Sequence, residues 1–236
     1  MFLFDPFYFL FMAPAMVLVF AAQWWVNSMY KKWSQVRNQS GLSGSEATRR
    51  LLQYGGLSGV QVERVQSRLG DHYDPREKRL RLSPGVADGE SVAAIAIAAH
   101  EIGHALQDKQ GYAPLRFRAA LVPAVNLGSK LGWILIFAGL IIRGTFGQQI
   151  AIAGLAAFAL GTVFALATLP VELNASARAK ELLATAGMVQ HQQEREGVNS
   201  VLRAAAFTYI AALAAAILQL LYYAFLVLGL SGRRRR

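Results

Sequence analysis

Residues 7–26 form a run of 20 without a single charge, and no other feature constrains the fold of this chain as strongly. Residues 150–169 form a second such run of 20, and residues 204–230 a third of 27. A helix needs about 20 apolar residues to cross roughly 30 Å of hydrocarbon, so each run is long enough to span a bilayer. A fourth stretch, 121–142, contains Lys130, whose long stem can carry its ammonium to an interface. The expected fold class is therefore mainly α: a multi-pass membrane protein with about four transmembrane helices, at 7–26, 121–142, 150–169 and 204–230. Composition agrees. Hydrophobic residues make up 54% and charged residues 16%, against about 25% charged in soluble domains. A disordered chain is excluded, because so much apolar surface does not stay solvated.

The formal net charge is +10, and in a membrane protein such an excess flanks the spans rather than reading nucleic acid. The terminal Arg233 to Arg236 is read as a membrane-surface anchor, so no nucleic-acid partner is expected. The chain has no cysteine, which removes disulfides, thiolate metal ligands and thiol catalysis. Asp5, with no Lys or Arg before the first span, and the interfacial Gln23-Trp24-Trp25 argue against a cleaved signal peptide. Lys31, Lys32 and Arg37 follow that span, which places the polar region behind it in the cytoplasm; Arg143 and the four terminal arginines count the other way. The expected location is the plasma membrane.

Two polar regions remain, 27–120 and 170–203. In the first, a linker ending in Gly41-Leu42-Ser43-Gly44 precedes a short capped helix from Ser45 to Leu52, stopped by Gly55-Gly56. Residues 60–65 alternate loosely and residues 79–82 strictly, suggesting a small β-hairpin joined by the turn-rich segment 70–75. The strand at 79–82 offers an edge on which a substrate could add as a further strand.

Ser91 is a good N-cap, and residues 91–108 read as one helix, apolar on every side over 92–99 and therefore buried. Within it stands His100-Glu101-Ile102-Gly103-His104. Histidines four apart share one helical face and can reach one metal ion, with Glu101 beside them as a general base. Two histidines and a carboxylate without a metal would be costly on so apolar a helix. A catalytic zinc needs a third ligand. Glu172 sits just past the span at 150–169, where an unpaired carboxylate is expensive, and two intervening spans return it to the membrane side of His100. His72 and His191 are the alternative ligands, and Glu172 could instead cap a helix over 174–186. His72, Tyr73, Arg178 and His191 are candidate donors to an oxyanion. The chemistry these residues point to is peptide-bond hydrolysis, in which zinc lowers the pKa of water and Glu101 moves the proton. A non-catalytic zinc-binding scaffold or carrier and a zinc amidase on a small molecule are the alternatives; a scaffold has no need of Glu101.

The segments Asp71-His72-Tyr73-Asp74-Pro75-Arg76, Leu80-Arg81-Leu82-Ser83, Ser91-Val92-Ala93-Ala94, Ala98 to Gln107 and Leu169 to Ser176 resemble the YugP-type neutral zinc metallopeptidases of bacterial membranes. The resemblance covers nearly the whole chain. It implies one membrane metallopeptidase domain over 1–236, a gluzincin-like HEXXH site with Zn²⁺, and a protein or peptide substrate. In the wider heat-shock and CAAX-processing relatives, an Asp follows the Glu ligand by four residues. Here that position is Ser176, which leaves Asn174 or Asp74 to orient a ligand histidine.

Overall fold

The computed structural model describes residues 6–66, 70–142 and 144–232. Asp5, Arg143 and Arg233 to Arg236, which entered the reading of orientation and anchoring, lie outside them. Seven helices and three strands follow one another: α1 Pro6–Ser34, α2 Gly44–Tyr54, β1 Gln61–Arg64, β2 His72–Asp74, β3 Arg79–Leu82, α3 Pro84–Ala87, α4 Val92–Lys109, α5 Ala113–Ile141, α6 Thr145–Thr185 and α7 Gln192–Gly232. The fold is mainly α, as the long apolar runs predict. Among the described residues, four helices are long and apolar enough to cross a membrane: α1, α5, α6 and α7.

The chain divides into two compact units, and these helices contribute to both. One unit comprises Met1–Ala22, Arg116–Leu169 and Tyr209–Arg236. Its interior is small, with Met12, Ile136, Ala151, Tyr222, Tyr223 and Val227 buried together. Helices α5 and α6 meet there through Gly132 and Gly154; a Cβ on Gly154 would lie 2.6 Å from the Ile136 nitrogen. Close backbone approach at small residues is how apolar helices associate when lipid removes the hydrophobic drive between them. Leu10, Phe20, Ile134 and Leu166 turn outward, a surface suited to acyl chains.

The other unit comprises Gln23–Leu115 and Pro170–Thr208. Its core is built on α4, whose Val92, Ala93, Ile95, Ala96, Ala98, Ala99 and Ile102 are all buried, packed with Leu51, Leu80, Leu82, Val86 and Leu183. Ser91 caps α4 by accepting from the Ala94 amide, as its sequence position suggests. Helix α2 begins earlier than expected. Its cap is Ser43 rather than a residue near Ser45, because Glu46 stands three residues later and completes a reciprocal capping box.

The sheet differs from the expected hairpin. Strand order is β1-β3-β2, with β2 antiparallel and β1 parallel to β3. The hairpin is thus β2–β3, and β2 lies inside the segment read as a turn. The strand at 79–82 is central, with Val62 and Tyr73 on either side of Leu80, so it has no free edge for a substrate. Residues 174–186 are no separate helix either: α6 runs unbroken to Thr185. Pro170 withdraws one amide from the helical ladder, and the helix continues through it.

Candidate metal centre

Helix α4 carries His100, Glu101 and His104, and α6 carries Glu172. The two helices approach closely at Gly103. A Cβ at that position would meet the Ala175 carbonyl oxygen at 2.4 Å, well inside van der Waals contact. With only hydrogen there, the α6 backbone comes down onto the histidine face. The Glu172 Oε2 then lies 3.2 Å from His100 Nε2 and 3.4 Å from His104 Nε2. The side chain of Glu172 is 3% exposed and those of the histidines 13% and 14%, so the carboxylate is sealed in while the imidazoles keep one open side.

This donor set fits zinc. Bonds of about 2.0–2.1 Å at a tetrahedral centre separate neighbouring donors by about 3.3–3.5 Å, close to both Glu172 distances. One donor atom from each of the three residues can be chosen so that all lie within 4.8 Å of one another. Two imidazole nitrogens and a carboxylate also match the borderline character of the ion. The electrostatics point the same way. Burial opposes charge on His104, but the Glu172 hydrogen bond and the Glu101 and Glu172 charges outweigh it and raise its pKa. The pocket is therefore one that favours positive charge.

Glu101 is 8% exposed. Its Oε2 accepts from the Tyr73 amide at 3.0 Å, so β2 holds the carboxylate from the side. The Tyr73 hydroxyl donates to Asp108 Oδ2 at 2.6 Å, two turns further along α4. Burial, then Asp108, pushes the Tyr73 phenol above its ordinary range, so it stays a donor. Tyr73 thus holds α4 at its middle and near its C-terminal end.

The candidate residues separate clearly. His100, His104 and Glu172 come together; His72 and His191 stand outside that group. The exposed His72 places Nδ1 2.7 Å from the Gly70 carbonyl oxygen. His191 lines a separate polar recess with Glu194, Gln39 and Ser40. Arg178 donates to Asn174 Oδ1 and Gln110 Oε1, both at 2.6 Å. The Tyr73 hydroxyl and the Arg178 guanidinium thus spend donors on Asp108, Asn174 and Gln110.

The partners of the histidines also differ from expectation. Ser176 itself, rather than Asn174 or Asp74, stands 3.1 Å from His100 Nδ1. His104 Nδ1 lies 3.1 Å from Gln107 Oε1. Asp74 is engaged elsewhere, accepting from the Arg76 and Glu77 amides. Gln107 escaped the sequence reading, although its spacing of three from His104 puts it on the same helical face.

Residues 8–228 match the family model described as "Putative neutral zinc metallopeptidase". The chain belongs to this family. It is also 41% identical over 219 residues to the "Putative membrane protease YugP" of Bacillus subtilis (strain 168), covering 93% of this chain and 95% of that protein. No solved structure matches. As a member of the neutral zinc metallopeptidase family, the chain takes zinc as its cofactor, and a peptide is its class of substrate. With four bilayer-length helices it is a membrane protein.

Proposed function

We propose that this protein is a membrane-embedded HEXXH-type zinc endopeptidase, working as one metallopeptidase domain over the whole chain. The observation that carries the reading is the convergence of His100, His104 and Glu172, with the Glu101 carboxylate held beside them on α4 by the Tyr73 amide. His100 Nε2, His104 Nε2 and a Glu172 oxygen would hold the metal, a gluzincin-like ligand set. When bound, zinc supplies Lewis acidity and brings the pKa of water toward about 7.

The remaining steps belong to the chain. Glu101 Oε2 is fixed by the amide, and Oε1 accepts no hydrogen bond among the described residues. Oε1 takes a proton from the attacking water as its oxygen bonds to the scissile carbonyl carbon. The C–N bond then breaks, and Glu101 returns the proton to the leaving amine. The open side of the imidazoles admits the peptide.

Purified protein should hydrolyse casein, lose that activity on chelation and regain it when zinc is restored. Casein left intact by metal-replete, folded protein would refute the reading. The 41% identity to a Bacillus subtilis protein described as a membrane protease supports proteolysis over a scaffold or a small-molecule amidase.

The catalytic unit faces the cytoplasm in this reading, because Lys31, Lys32 and Arg37 follow the first span. Ser58 is exposed and the chain contains no cysteine, so Ser58→Cys provides a single reporter. An impermeant thiol reagent added to intact cells should leave it unlabelled until the membrane is opened. Labelling from outside would reverse the orientation.

A further inference from the structure

Four side chains around the cluster form a hydrogen-bond chain with a fixed direction. Arg178 Nε lies 2.6 Å from Asn174 Oδ1, and a guanidinium can only donate, so the Asn174 oxygen is an acceptor. Gln107 Nε2 lies 3.0 Å from that same oxygen and 2.8 Å from the Val171 carbonyl oxygen. Both neighbours only accept, so the amide nitrogen of Gln107 must face them, and its two hydrogens are thereby used. Its Oε1 is left pointing at His104 Nδ1, 3.1 Å away. A carbonyl oxygen cannot donate. His104 must therefore carry a hydrogen on Nδ1, so that in the neutral, metal-binding ring the lone pair falls on Nε2, the nitrogen that gives its proton to Glu172 when no metal is bound.

We propose that Gln107 is a positioning residue for the metal centre: it holds His104 in the Nδ1–H form, with the direction of the chain set by Arg178. The proposal rests on the reading of His104 as a metal ligand. Gln107 is fully buried, and its amide spans α4 to the Val171 carbonyl and Asn174 on either side of Glu172 in sequence. One side chain thus orients a ligand on one helix and ties down the segment that bears the ligand on the other. His100 has no such lock. Its partner is the Ser176 hydroxyl, which can donate or accept and does not choose a tautomer. The two histidines of the motif are consequently held to different standards.

The test uses full-length, zinc-loaded protein with ¹⁵N-labelled histidine. The chain has 4 histidines, so single replacements assign the signals. The wild type should show His104 coordinated through Nε2, with a slowly exchanging Nδ1 proton. Gln107→Met, which keeps length and apolar volume, should lose that protected proton. Its zinc affinity in chelator competition should fall about 10–100-fold, the usual cost of an outer partner of a ligating histidine. Arg178→Met should weaken the protection less, since Gln107 keeps its Val171 bond. Coordination of His104 through Nδ1 in the wild type would overturn the proposal, and that measurement needs no variant to fold. So would a Gln107→Met protein with wild-type zinc affinity. His104→Ala separates the two ideas: wild-type zinc affinity in that variant would defeat the ligand assignment itself, whereas its loss beside an unaffected Gln107→Met would defeat only the role of Gln107.

Discussion

Glu101→Gln should fold, bind zinc with near-wild-type affinity and hydrolyse casein about 10²–10⁴ times more slowly. Glutamine has the same length and still presents an oxygen to the Tyr73 amide, which now bonds Glu101 Oε2 at 3.0 Å. The local packing around this buried position is therefore kept. What is lost is the ability to take a proton from water and give it to a departing amine. The measurement pairs metal analysis with initial rates on the same preparation. Retained metal with full activity would eliminate Glu101 as the base, and with it the HEXXH mechanism. Loss of both metal and activity would indicate instead that Glu101 supports the fold of the site.

The second large effect concerns zinc retention. Glu172→Ala should cost more zinc affinity than the roughly 10–100-fold typical of an outer-partner mutation, because the proposed three-ligand site would be cut to two histidines. Glu172→Asp should fall between, its carboxylate present but one methylene short. Chelator competition on the purified variants ranks the three proteins. The carboxylate is nearly sealed from solvent and lies 3.2 and 3.4 Å from the two imidazole nitrogens. Its removal leaves those imidazoles facing a cavity. A Glu172→Ala variant that keeps wild-type zinc affinity would remove Glu172 from the ligand set and reopen the third position.

The spans and the α4 helix were legible because each is announced by a strong local signal. Twenty uncharged residues need no tertiary context, and Ser91 followed by an apolar run needs little. Glu172 was reached by a different route, from the cost of a lone carboxylate at a membrane boundary. Strand β2 was not legible, because three residues, His72, Tyr73 and Asp74, are too few to show alternation and the turn residues Gly70, Asp71 and Pro75 flank them. It exists because β3 beside it supplies hydrogen-bond partners far stronger than its own propensity. The continuity of α6 was hidden by Pro170, which reads as a boundary when its neighbours are unknown. Gln107 was silent for another reason. An uncharged amide has no pattern that marks it as functional, and its role depends on a carbonyl 64 positions away.

The approach of α4 and α6 at Gly103 changes what the motif itself means in this chain. Of the two unspecified positions between Glu101 and His104, one is not free. Coordination tolerates about ±0.2 Å, whereas even a methyl group at Gly103 would collide with the Ala175 carbonyl by more than that. The residue with no side chain is thus the gauge that sets the width of the metal pocket. Changing which ion the pocket prefers would begin by adding bulk at position 103, with every donor atom left as it is.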